Sequence, residues 1–197
     1  MKAPLSFLPC RRAVLNLVLS VWLIGGRASA AVINVAPGDT YTKIESANPG
    51  DEVVIAPGTY AFRVYLTKQA TAANPIVIRA QDPANPPIWD FGTTLVENAP
   101  GSYTAGDRGR GGWQFSGARN YRLSGIVFRN CRTASFNSAG IRYYNGTTNL
   151  YLKDCRFILN DNGLTGGTQN RVTIYLTHHL TVSQGVGHDS TSCGIIP

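Results

Sequence analysis

From Val32 onward, apolar residues recur at every second position in short runs, each closed by Gly, Pro, Asn or Asp. The pairs Val53/Ile55, Ile76/Ile78, Trp113/Phe115, Tyr121/Leu123, Leu150/Leu152 and Val172/Ile174 show this spacing, with Ile88 in a similar short run. Period-two alternation bounded by turn residues predicts half-buried strands. No stretch offers the spacing of a long amphipathic helix. Pro37-Gly38, Pro49-Gly50 and Pro57-Gly58 mark three early turns. The pattern predicts an all-β chain. A sandwich or a barrel would show the same local alternation, so architecture rests on the longer period.

Leu123-Ser124-Gly125-Ile126-Val127-Phe128 and Leu152-Lys153-Asp154-Cys155-Arg156-Phe157 share one design: apolar, two turn residues, apolar, any residue, Phe. Asn137-Ser138-Ala139-Gly140-Ile141 recurs as Asn160-Asp161-Asn162-Gly163-Leu164, and Leu150/Leu152 as Val172/Ile174. Offsets of 22 to 29 residues, with two or three short strands per unit, are the signature of a solenoid. A single coil holds too little apolar surface to fold alone. Stacking sets Leu over Leu and Phe over Phe, while Asn and Gly take the corners because they tolerate left-handed backbone.

The first thirty residues change the picture of charge. Lys2, Arg11 and Arg12 precede an apolar run from Ala13 to Ile24, and Ala28-Ser29-Ala30 gives a small-x-small pattern. This predicts a Sec-type signal peptide cleaved after Ala30, with residues 31–197 as the mature domain, secreted or periplasmic and without a stable membrane span. Cleavage removes four of the eighteen basic residues and no acid, so the formal charge falls from +7 to +3. Cys131, Cys155 and Cys193 then remain, an odd and widely spaced set that does not read as a disulfide framework.

The segments Ala36-Pro37-Gly38-Asp39, Ile44 to Tyr60 and Asn74-Pro75-Ile76-Val77-Ile78-Arg79-Ala80 resemble the opening coils of secreted proteins of the pectate-lyase-like superfamily. That resemblance implies a single-stranded right-handed parallel β-helix of about five coils, sealed at its start by a short capping helix over Tyr41 to Ala47. The coil pattern is expected to weaken after about Ile174, where Tyr175-Leu176-Thr177-His178-His179-Leu180 departs from it. On that reading the chain is a truncated or frame-disrupted version of a longer protein.

The resemblance also implies a chemistry, β-elimination on a uronate-containing polysaccharide. A Lys or Arg would remove the proton next to a carboxylate that a cation or Arg neutralises. Residues 31–100 carry net charge −3 and residues 101–160 net +7. Arg122, Arg129, Arg142, Lys153 and Arg156 alternate with interior positions and are expected to point outward as a ladder attractive to an acidic glycan. Equally, they could be the solvated exterior of stacked strands. Lys153 and Arg156 are the candidate catalytic pair. Arg122, Arg129, Arg142, and Arg108 and Arg110 from a Gly-rich loop, are candidate substrate contacts.

Asp154 and Asp161 are candidate calcium ligands, although Asn160-Asp161-Asn162-Gly163 lacks the further acids of an oxygen cage and also reads as a corner turn. His178 and His179 are adjacent and would face opposite sides of a strand; with His188 and Asp189 they form a poor metal set. Cys131 and Cys155 read as small interior residues. No organic cofactor and no nucleic-acid module are indicated. The leading function is a polysaccharide lyase acting on an acidic glycan. Alternatives are a non-catalytic glycan-binding or cell-surface β-helix and an inactive fragment of a longer enzyme.

Overall fold

The computed structural model describes residues 29–101 and 110–166, together with the backbone of two strands at Ile174–Thr177 and Val182–Ser183. The predicted leader up to residue 28, Arg108, the histidines and Cys193 lie outside the described residues. The chain winds through three parallel sheets. The first holds β1 (Val32–Val35), β2 (Glu52–Ile55), β5 (Ile76–Ala80), β8 (Arg119–Ser124), β11 (Thr148–Lys153) and β14 (Ile174–Thr177). The second holds β3 (Thr59–Tyr60), β6 (Ile88–Asp90), β9 (Val127–Arg129), β12 (Arg156–Ile158) and β15 (Val182–Ser183). The third holds β4 (Val64–Leu66), β7 (Gly111–Ser116), β10 (Ala139–Tyr144) and β13 (Leu164–Gly166). From β2 onward, consecutive strands visit the three sheets in turn, and each strand pairs with its counterparts in the neighbouring coils. This is an all-β solenoid, a parallel β-helix.

The register explains the repeat. Leu123 lies opposite Leu152 and Phe128 opposite Phe157, as the shared design requires. On the second sheet the interior row runs Tyr60, Trp89, Phe128, Phe157. Tyr60 and Trp89 stack with centroids 4.5 Å apart, and Phe128 and Phe157 stack at 5.2 Å. Trp113, from the third sheet, meets Trp89 and Phe128 edge-on at 4.9 and 5.6 Å. The Trp89 indole N–H donates to the Phe62 carbonyl at 2.9 Å, so the ring is buried without an orphaned donor. Cys131 and Cys155 are buried among these rows, and burial pushes both thiols up, Cys155 to about 11.

One detail differs from the sequence reading. Ile174 pairs with Leu150 and Leu176 with Leu152, so the last repeat is anchored at Ile174/Leu176 and not at Val172/Ile174. Both pairs keep period two, and a one-step choice between them cannot be made from alternation alone. Parallel pairing also extends to Val182–Ser183, which joins β12 in the second sheet.

Corners and cap follow local chemistry. In Asn48-Pro49-Gly50-Asp51 the Asp51 N–H donates to the Asn48 carbonyl at 2.9 Å. Gly50 sits at φ +96°, where a side chain would be strained. Asn120 and Asn149 occupy left-handed backbone at the third-to-first corner. Asn149 Nδ2 donates to Asn120 Oδ1 at 3.1 Å, and Asn120 Nδ2 to the Ala70 carbonyl at 2.7 Å. The predicted cap is a helix at Tyr41–Ser46, with Ile44 fully buried. Glu45 Oε1 accepts the Tyr65 N–H at 2.7 Å and ties the cap to β4.

Trp89 touches more of the aromatic interior than any one coil supplies. Trp89→Ala should therefore lower unfolding free energy by about 3–5 kcal/mol, read as an earlier midpoint in denaturant titration.

Candidate functional site

The corner between the first and second sheets changes length along the stack. β8 and β9 are joined only by Gly125-Ile126, and β11 and β12 only by Asp154-Cys155, whereas residues 81–87 join β5 to β6. The tight corners depend on left-handed backbone at Gly125 (φ +69°) and Asp154 (φ +53°). Ile126 and Cys155 turn inward and are buried, which fixes their neighbours outward. The longer corner, stiffened by Pro83 and Pro86, forms a ledge beside the tight ones. The resulting groove of about 540 Å³ is lined by Arg79, Pro83, Pro86, Ser124, Lys153, Asp154 and Arg156, among others.

Both candidate catalytic residues lie in this groove. Lys153 ends β11, Arg156 opens β12, and both are exposed. Among the described residues neither side chain has an ion-pair or hydrogen-bond partner. Arg79 joins them, a residue that charge counting passes over because it lies in the net-negative first part of the chain. Its signal was the Ile76/Ile78 alternation, which sends residue 79 outward. In register it stands one strand from Ser124 and two from Lys153, so the backbone positions of Arg79 and Lys153 are separated by about 10 Å. Arg79 Nε donates to Glu52 Oε1 and Nη1 to the Ala80 carbonyl at 3.2 Å, which holds the guanidinium in place.

The remaining basic residues do point outward, yet they do not form one ladder. Arg122 lies on the first sheet, with its guanidinium carbon 5.7 Å from the Tyr151 ring centroid. Arg129 lies on the second sheet, and Arg142 on the third, with Arg110 just before β7. Arg110 and Arg142 are each engaged within the protein. Alternation decides inside from outside; which of three faces a residue occupies depends on the strand that carries it. The expected stripe is therefore divided among three faces.

Arg129 is committed to Asp90. Its Nε donates to Asp90 Oδ2 at 3.0 Å, and Asn130 Nδ2 and the Gly92 N–H donate to Oδ1 at 2.7 and 2.9 Å. Burial would raise the Asp90 pKa, but these bonds and the Arg129 charge hold it below the ordinary carboxylate range.

The two candidate calcium ligands do not converge. Asp154 is exposed at the first-to-second corner, while Asp161 is buried at the second-to-third corner of the same coil. Asp161 Oδ2 accepts from the Thr133 N–H at 2.8 Å, the Ser138 N–H at 3.1 Å and the Thr133 hydroxyl at 3.2 Å. Its neighbours are occupied likewise: Asn160 Oδ1 accepts the Cys131 N–H at 2.8 Å, and Asn162 Nδ2 donates to the Ser138 carbonyl at 2.8 Å. These residues clamp one coil to the preceding one. No group of three metal-ligating side chains occurs among the described residues, and a lone Asp154 falls short of the six to eight oxygens (about) that calcium takes. Among the described residues, neither aspartate belongs to a protein-built calcium cage.

A carboxylate whose pKa is lowered by folding stabilises the protein above its unfolded value, and the stabilisation is lost as pH falls through the folded value. Asp90→Asn should therefore remove part of the fall in Tm as pH drops below about 4, measured against the parent protein. Replacing Asp161 by Ala leaves buried donors without an acceptor. It should cost roughly 3 kcal/mol or more in denaturant unfolding, without changing the groove.

No family model matches the chain, and no curated protein matches it. Among solved structures it is similar to the PL6 family alginate lyase AlyGC, at a TM-score of 0.48 and 16% identity over 72% of this chain and 18% of that one. It is also similar to the alginate lyase from Paenibacillus sp. strain FPU-7, at a TM-score of 0.43 and 16% identity over 74% of this chain and 57% of that one. The chain thus spans under a fifth of the first protein and somewhat over half of the second.

Proposed function

We propose that this is an exported polysaccharide lyase that cleaves an acidic, uronate-containing glycan by β-elimination in the groove at the first-to-second corner. The observation that carries the proposal is the meeting of Lys153, Arg156 and Arg79 in one open groove on a rigid stack. Elimination needs a base beside the proton α to the carboxylate, and positive charge where the carboxylate becomes enolate-like.

Lys153 takes the part of the base, its amine nitrogen removing the proton at C5 of the uronate. Electrons from the broken C–H bond form the C4–C5 double bond as the C4–O bond breaks. The leaving oxygen takes a proton from solvent or from the lysine. Arg156, exposed and without a protein partner among the described residues, offers a planar fork to the carboxylate. Arg79, steadied by Glu52, supplies a second positive charge at the far side of the groove. The single acid, Asp154, leaves the lining net positive, which favours an anionic sugar. Export by the predicted leader would bring the domain to extracytoplasmic polysaccharide.

The test is a panel of alginate, pectate and glycosaminoglycans, each with and without added calcium. The expected product has an unsaturated, near-ultraviolet-absorbing end. Lys153→Met should lower the rate by roughly 10²-fold or more, with Tm unchanged because the side chain is exposed. Salt-sensitive retention on these glycans with no unsaturated product would replace catalysis with binding.

A further inference from the structure

Asp51 is a buried carboxylate, 7% exposed, at the end of the Pro49-Gly50 turn. Its Oδ2 accepts the Asn48 N–H at 2.8 Å, closing the turn, and its Oδ1 accepts the Ala31 N–H at 2.8 Å. Among the described residues no cation pairs with it. The Pro37-Gly38 turn offers a contrast. There Asp39 Oδ2 accepts the Ala36 N–H at 2.8 Å, and Lys43 Nζ lies 2.9 Å from the same oxygen. The two turns share a plan, yet the more buried carboxylate is the one without a counter-charge, and an unpaired buried charge is costly.

The nitrogen beside Asp51 Oδ1 belongs to the residue that follows the expected cleavage site. Ser29, Ala30 and Ala31 are exposed and lie ahead of the first strand, so the Ala30–Ala31 bond is open to a peptidase. We infer that removal of the leader after Ala30 converts the Ala31 amide into an α-ammonium that becomes the missing partner of Asp51 and locks the first coil. Hydrolysis breaks the C–N bond and adds the hydroxyl of water to the Ala30 carbonyl carbon. One proton of that water goes to the Ala31 nitrogen. A second proton from solvent completes the ammonium, since an α-amine ordinarily titrates near pH 8 (about).

The geometry is already in place. One N–H keeps its direction toward Oδ1, and the new protons face space vacated by Ala30. The Ala31 carbonyl accepts the Glu52 N–H at 2.8 Å, so the residue is held from both sides. The lock acts on β1, which pairs only with β2 at the edge of the first sheet among the described strands. Edge strands with one partner are the first to fray. Processing would therefore strengthen the stack at one of its edge strands. This inference is independent of the groove chemistry.

The test compares three forms of the whole mature chain: starting at Ala31 with a free amine, starting at Ala31 but acetylated, and starting at Ser29. Each is made with Asp51 and with Asp51→Asn. With Asp51, the free-amine form should have an unfolding equilibrium constant about fivefold smaller than the other two, the size of a well-formed, half-exposed ion pair. The advantage should vanish with Asn at position 51. Equal stability of the three Asp51 forms, or an advantage that survives Asp51→Asn, would overturn the proposal. If Asp51→Asn does not fold, the acetyl comparison decides alone, and no loss on acetylation refutes it. Mass spectrometry of the exported protein should find Ala31 as the first residue, and any other start refutes it too.

Discussion

The structure depends on the register between coils. A coil of three short strands encloses only a thin slice of interior, and its apolar side chains have nothing to cover them above and below. Parallel pairing at about 4.8 Å brings the next coil's equivalents into contact. Leu123 on Leu152 and Phe128 on Phe157 are the result. A slip of one residue in any strand would turn its row outward, so interior rows specify the register while backbone bonds supply the pairing. Trp89 and Trp113, from different sheets, fill the centre in one edge-on contact.

That register leaves the corners as the places where the polar accounts must close. Each change of direction interrupts the backbone ladder and needs side chains to replace its bonds. Asn120 and Asn149 do so at one corner, and Asn160, Asp161 and Asn162 at another. The same economy explains why Asp161 is a poor calcium ligand. One of its oxygens already accepts three hydrogen bonds, and withdrawing it would strand donors of the preceding coil. Asp51 belongs to the same class of buried acids, with the difference that one of its donors is the nitrogen that processing is proposed to charge.

The fold was legible in the sequence because its two periods are written in residue type. Alternation gives strands, and the recurrence of Leu123-x-x-Ile126-x-Phe128 as Leu152-x-x-Cys155-x-Phe157 gives the stack. Pro-Gly turns, Asn corners and the helix at Tyr41–Ser46 follow from local preference. The last coil was misaligned because Val172/Ile174 and Ile174/Leu176 alternate equally well, and only a partner strand distinguishes them. The groove was half legible. Lys153, Asp154 and Arg156 are adjacent in sequence and stay adjacent in space. Arg79 comes from a strand two places along the sheet, and no short-range pattern joins it to Lys153. The basic ladder failed for the converse reason: residues with the same alternation belong to different faces.

Variation that the interior forbids is permitted at a corner. From β5 to β12 the chain passes between the first and second sheets either in the tight pairs Gly125-Ile126 and Asp154-Cys155 or over the longer path of residues 81–87. Both keep the interior rows in register, so the difference in length appears wholly outside, as a ledge. A groove made this way has a floor as rigid as the stack itself. Lys153 and Arg156 emerge from the ends of paired strands on either side of a left-handed corner residue, and their backbone positions are fixed by the buried Leu152, Cys155 and Phe157 between and beside them. Only the side-chain rotors of the charged residues remain to be ordered by a ligand. The apolar register that makes the fold thereby preorganises a place where three cations face a common space.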